Sequence, residues 1–186
     1  MKASTHAILI GLMLLAATTS ARAQTMVTPL VSANVNTTAG FIDLDDAAGR
    51  THAGFGVAVS RLTAGWLGVE GVVMVTPSAF SGGDLVESSR LLSVTGRLLV
   101  AAPARWRIRP FVSFGAGLAK FDSDDVAHLF AINASRLAAS AGAGAWLRLT
   151  PRLGLRTGVD FLRTVHDVDS APFETLQLSA GVSIRF

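Results

Sequence analysis

Leu176-Gln177-Leu178-Ser179-Ala180-Gly181-Val182-Ser183-Ile184-Arg185-Phe186 places an apolar side chain at every second position and a glutamine, serine, glycine or arginine between them. Successive side chains of an extended strand point to opposite faces, so this period of two predicts a strand with one wholly apolar face. The pattern recurs toward the amino end. Leu153, Leu155, Val159 and Phe161 alternate with Gly154, Arg156, Gly158 and Asp160, and Leu137, Ala139, Ala141, Ala143, Ala145 and Leu147 alternate with Ala138, Ser140, Gly142, Gly144 and Trp146. Further upstream, Ile108, Val112, Phe114, Ala116 and Leu118 oppose Arg109, Ser113, Gly115 and Gly117, while Leu92, Val94, Leu98 and Val100 oppose Ser93, Thr95 and Arg97. Val69, Val73 and Val75 oppose Gly68 and Glu70; Ala53, Phe55, Val57 and Val59 oppose Gly54, Gly56 and Ser60; Val31, Ala33 and Val35 oppose Ser32, Asn34 and Asn36.

Eight strands follow, over 27–36, 51–61, 66–77, 89–101, 108–120, 135–148, 153–164 and 174–186. Each is near the ~9–11 residues a tilted strand needs to cross a bilayer, and an even number of antiparallel strands brings both termini to one side. The connections alternate in length. Short turns fall at 62–65, 102–107 and 149–152, and longer polar loops at 37–50, 78–88, 121–134 and 165–173. Bacterial membrane barrels have this asymmetry, with the short turns facing the periplasm. The first and third turns share the run Arg61-Leu62-Thr63 and Arg148-Leu149-Thr150, a repeat at the level of hairpins.

Composition supports a membrane barrel over its rivals. Residues 1–23 read as a cleaved signal peptide: Lys2 supplies the charged start, Ala7 to Ala17 is an unbroken apolar run, and Ala21-Arg22-Ala23 is an A-x-A cleavage site. The mature domain is then 24–186, one domain in length. Without Lys2 and Arg22 the chain carries 14 basic and 13 acidic residues, so no nucleic-acid surface is indicated. There is no cysteine, which excludes disulfides and thiolate metal sites. Mean hydropathy is +0.48, high for an exported soluble protein, yet the mature sequence has no helical span. A closed barrel reconciles the two, because it satisfies every backbone group between strands.

The stretch Arg107-Ile108-Arg109-Pro110-Phe111-Val112-Ser113-Phe114-Gly115-Ala116-Gly117, the run Gly142-Ala143-Gly144 before Trp146, Arg148-Leu149-Thr150-Pro151, and the closing strand ending in Phe186 resemble the small outer-membrane barrels. That group includes the transmembrane domain of outer membrane protein A and the opacity-type proteins. The resemblance spans essentially the whole mature chain. It implies an all-β, eight-stranded, antiparallel up-and-down transmembrane β-barrel in the outer membrane, and a terminal insertion signal for the barrel-assembly machinery at Phe186, Ile184 and Val182. The chain departs from the group in lacking tyrosine and having short loops.

If the apolar face meets lipid, the other face fills a lumen that eight strands leave just wide enough for side chains. Glycines on that face make room for a few large polar groups. The sequence predicts a lumenal polar cluster in which Glu70 links Arg97 and Arg156, with Asp160 nearer Asn34 in the outer half; buried charges of this kind are normally paired. Trp66, Trp106 and Trp146 all lie beside short turns and are expected to form an aromatic girdle at one membrane–water interface. Eleven of the thirteen acidic residues fall in or directly beside the four long loops: Asp43, Asp45, Asp46, Asp84, Glu87, Asp122, Asp124, Asp125, Asp167 and Asp169 within them, and Glu174 at the start of the last strand. They form an acidic rim with at most weak affinity for divalent cations.

His52, His128 and His166 remain after cleavage of the leader, and no nucleophile elbow or triad spacing accompanies them. The reading is therefore non-enzymatic, with no cofactor, no metal site and no nucleic-acid partner. It is a structural or surface-interaction protein of the outer membrane, its lumen plugged and its partners outer-membrane lipid and surface polysaccharide, and it is expected to be a monomer. Two alternatives stand beside it: a narrow ion or small-solute channel, and a soluble exported barrel that binds an apolar ligand inside, as lipocalins do.

Overall fold

β-Branched and aromatic residues alternating with small polar ones suit a pleated sheet with two different faces, and the computed structural model is built from such strands. It describes residues 24–38, 51–63, 66–77, 86–125, 132–165 and 173–186. The strands are β1 (Gln24–Thr38), β2 (Thr51–Leu62), β3 (Leu67–Pro77), β4 (Val86–Ala101), β5 (Ile108–Asp125), β6 (Ile132–Arg148), β7 (Leu153–Thr164) and β8 (Glu174–Arg185). Each pairs antiparallel with the next, and β8 returns to β1 to close the barrel. Closure leaves no strand edge unpaired, which is what a β-structure surrounded by lipid requires.

The strand count and order agree with the sequence reading, while several boundaries move outward. β5 and β6 run together to Ser123↔Ile132, and β4 pairs with β5 as far as Val86↔Asp125. Asp122, Asp124 and Asp125 are consequently ladder residues of β5 and not part of a loop. The physical reason is that neighbouring strands that extend together satisfy each other's backbone groups, which outweighs the local polarity that suggested a loop. Of the other acids assigned to the loop side, Glu87 falls within β4 and Glu174 opens β8, while Asp43, Asp45, Asp46, Asp84, Asp167 and Asp169 lie outside the described residues, as do His128 and His166.

Parity holds on every strand. Val31, Leu98, Phe114 and Leu137 stand on the outside, each at least 60% exposed, while Thr28, Ser60, Arg97, Ser113 and Arg156 on the alternate positions are buried. Contiguous apolar surface of that extent is incompatible with water. It also reverses the arrangement of a lipocalin, whose apolar face points inward.

The two threonines of the repeated turn motif act in opposite senses. The Thr63 hydroxyl donates to the Leu67 carbonyl (2.8 Å), whereas the Thr150 hydroxyl accepts from the Leu153 amide (2.9 Å). At the closing seam, the β1–β8 ladder pairs Val27 with Ile184 and Leu30 with Gly181, skipping Thr28 and Pro29. Proline has no N–H to contribute there. The Thr28 and Ser183 hydroxyls bridge the interruption at 2.8 Å from inside the barrel.

Candidate functional site in the barrel lumen

Inside the barrel the side chains sort into layers. At the short-turn end, Met26, Leu62, Leu99, Ala101, Phe111 and Trp146 form one apolar cluster. Toward the loops lie two more, Leu30, Ala58, Val72 and Met74 on the β1–β3 side, and Leu91, Ala119, Phe121, Ala138, Leu162 and Phe173 opposite. Between them sits an ionic layer.

Four charged residues compose it: Glu70 on β3, Arg97 on β4, and Arg156 and Asp160 on β7. Arg156 Nη2 donates to Glu70 Oε1 at 2.8 Å, and Ser60 Oγ donates to the other carboxylate oxygen at 2.6 Å. Arg97 Nη1 donates to Asp160 Oδ1 at 2.5 Å and its Nε to Thr95 Oγ1 at 3.1 Å. All four side chains are at most 8% exposed. In a low-dielectric interior such charges persist only when paired and hydrogen-bonded, and here two acids meet two bases with no residual charge.

The Glu70–Arg156 link is the expected one, whereas the rest of the connectivity differs from the prediction. Glu70 and Arg97 are directly opposed in the β3–β4 ladder, yet Glu70 reaches across the lumen to β7, and Asp160 turns to Arg97 instead of Asn34. Asn34 lies apart, its Nδ2 donating to Ser32 Oγ (3.2 Å), the His52 carbonyl (3.4 Å) and Thr76 Oγ1 (3.0 Å). The cluster is therefore two cross-lumen pairs, with Asn34 belonging to a separate network. In a ring of eight, β3 and β7 are diametrically opposed, so long side chains on those two strands meet at the axis.

Glycines clear the space. A Cβ at Gly142 would collide with the Asp160 carboxylate, and one at Gly115 would approach Arg97 Cγ to 2.8 Å. Gly144 faces Phe111 in the β5–β6 ladder and lets its ring lie flat over the strand. Trp146 then stacks on Phe111, centroids 4.0 Å apart. The Arg156 guanidinium lies 5.2 Å from the Phe111 centroid and 5.9 Å from that of Trp146, within reach of cation–π attraction.

Trp146 is thus not a girdle residue. It is 1% exposed and points inward, whereas Trp66 and Trp106 are 60% and 50% exposed on the outer rim. Its proximity to a short turn suggested the interface, but its parity with Gly142 and Gly144 puts it in the lumen. The closing strand carries Val182, Ile184 and Phe186 on the outer face, all exposed. The ionic layer's neighbours Ser60 and Thr95 were not singled out from sequence; their parity with Glu70 and Arg97 was the available signal.

A closed eight-stranded barrel with an apolar exterior, its charges in the lumen and toward its two ends, defines an integral membrane β-barrel. Residues 7–186 match the family model described as the outer membrane protein beta-barrel domain, and the chain belongs to that family. It is a protein of the bacterial outer membrane.

No curated protein matches the chain in sequence. Among solved structures, it is similar in fold to OprG from Pseudomonas aeruginosa (TM-score 0.63, 13% identity, 89% of this chain and 96% of that one). Neisserial surface protein A is similar as well (TM-score 0.61, 13% identity, 88% and 97%). So is Ail, the attachment invasion locus protein of Yersinia pestis, in a complex with the heparin analogue sucrose octasulfate (TM-score 0.53, 16% identity, 87% and 97%).

Proposed function

We propose that this protein is a structural and surface-interaction barrel whose lumen is plugged and whose acidic loops face outward, without catalytic activity. The observation that carries this reading is the ionic layer: Glu70–Arg156 and Arg97–Asp160 span the lumen between apolar layers on either side. An ion moving along the axis would have to part a buried pair and then enter apolar packing, both costly.

Its partners are outer-membrane lipid around the barrel, surface polysaccharide at the loops, and the insertion machinery at Phe186, Ile184 and Val182 during export. Eleven carboxylates on the loop side set a sign on the surface contact. A polyanion such as the sulfated sugar bound to Ail would be repelled, so the favoured surface is neutral or cationic. The leader 1–23 is removed, so amino-terminal sequencing of the mature protein would begin at Gln24, and the closed barrel acts as a monomer.

Planar-bilayer recording of the refolded barrel tests the plug. Discrete conductance steps would overturn it; a silent bilayer containing folded protein supports it. Narrow conduction is the second reading, and one observation favours it: Arg156 Nε and Nη1, Ser113 Oγ, Ser140 Oγ and Gln177 Nε2 are buried without a protein partner. Those are the atoms internal water would bind.

A further inference from the structure

The charges of this chain are divided between the two ends of the barrel. Among the described residues, every Asp and Glu apart from Glu70 and Asp160 in the lumen lies at the loop end, while the short-turn end carries Arg61, Arg105, Arg107, Arg109, Arg148, Arg152 and Arg185 and no carboxylate side chain. The backbone draws these arginines together. The Arg148 amide donates to the Arg107 carbonyl at 2.9 Å, and that of Arg185 to the Arg152 carbonyl at 2.8 Å. Arg185 stands close enough to Arg109 and to Arg148 to be repelled by each. Like charges at such range are unfavourable unless an anion sits among them.

A recess of about 10 Å³ opens at this mouth, lined by Arg107, Arg109, Arg185, Trp106, Trp146 and Gln24 among others. That volume admits one oxygen-sized atom. Its chemistry is almost all donor. Arg109 is held in place by its Nε–H, which donates to the Ala102 carbonyl at 2.5 Å. The Arg185 Nε–H and the Trp146 indole N–H are both buried and have no protein acceptor. Unused buried donors among arginines call for an anionic oxygen.

We infer that the short-turn mouth is an oxyanion site, in which one oxygen of a phosphate group enters the recess between Arg109, Arg185 and Trp146 while the rest meets Arg107 at the rim. Guanidinium forks match phosphate geometry. Exposed Trp66 and Trp106 mark this rim as the level of lipid headgroups, so the phosphate comes either from an anionic phospholipid of the periplasmic leaflet or from solution. The inference rests on the transmembrane reading but not on whether the lumen is plugged.

The test uses the mature barrel folded in zwitterionic micelles, with folding verified by its gel shift on boiling. Inorganic phosphate is titrated calorimetrically, and phosphatidylglycerol is compared with phosphatidylcholine by native mass spectrometry. Phosphate is expected to bind, more weakly as salt is raised. Arg185→Gln and Arg109→Gln each weaken binding by about tenfold or more, whereas Arg152→Gln, outside the recess, changes it less than about twofold. If one phosphatidylglycerol stays bound and blocks phosphate, the occupant is a headgroup; if phosphate binds and the lipid does not compete, it is the free anion. A folded wild-type barrel that takes up neither overturns the inference, as does binding indifferent to both recess variants. Two recess variants are used because a change so near the closing strand can impair folding, and a silent bilayer or a conducting one has no bearing on either result.

Discussion

The outer and inner faces of the same eight strands obey opposite rules. Outside, Val57, Val59, Leu98 and Phe114 are interchangeable in kind, since lipid asks only that a side chain be apolar. Inside, each large group has a particular partner and a particular gap: Arg156 has Glu70 and the face of Phe111, Asp160 has Arg97 and the space left by Gly142. Substitution on the outside is a question of polarity, whereas on the inside it is a question of geometry and charge balance.

The largest effect should come from unbalancing the ionic layer. Glu70→Ala leaves Arg156 buried without its carboxylate and should cost about 3–5 kcal/mol, measured by urea unfolding in lipid vesicles. Replacing Glu70 and Arg156 together by Met should recover most of that loss; if the double variant is as weak as the single one, pairing is not what the inner face requires. Trp146→Ala opens a void beneath Arg156 and is expected to lose roughly 3–5 kcal/mol in the same assay. Trp66→Ala, on the rim, should lose clearly less, and equal losses would return Trp146 to the girdle.

The outer face is probed by Val57→Arg, near the middle of β2. A charge there should cost about 2–4 kcal/mol, mostly recovered when Val57→Leu is made instead. The smallest effect belongs to the exposed pair of Arg163 and Glu174, whose atoms are 3.3 Å apart with the arginine side chain 59% exposed. Arg163→Gln should change unfolding free energy by less than ~1 kcal/mol, the usual size for a solvated pair. A loss near that of Glu70→Ala would erase the distinction between lumen and surface.

These rules also explain what the sequence could convey. The lipid face was legible because it depends on parity and hydropathy alone, both plain from Leu176 to Phe186. Strand order followed from the alternation of short and long connections. Partners inside the lumen were legible only in part: Glu70 and Arg156 can be matched by their similar heights, but the Arg97–Asp160 pair depends on which strands lie across the ring and how far each is staggered. Glu70 and Arg97 are neighbours in the ladder, yet each bonds to β7. Trp146 shows parity competing with position: closeness to a turn suggested the interface, and its place in step with Gly142 and Gly144 decided otherwise. The ends of β5 and β6 were missed since aspartates predict loops only where no neighbouring strand offers hydrogen bonds.

The seam between β1 and β8 has a consequence for how the molecule comes to exist. Thr28 and Ser183, joined across it, are 155 residues apart in the chain. Bringing such distant segments together costs about 4–5 kcal/mol of chain entropy, against ~2 for a hairpin whose ends are some ten residues apart. The seven hairpin ladders can therefore assemble in sequence from local contacts, while closure depends on a high-contact-order step that waits for the last strand. With Pro29 interrupting its ladder, that seam is the natural last joint to shut during insertion.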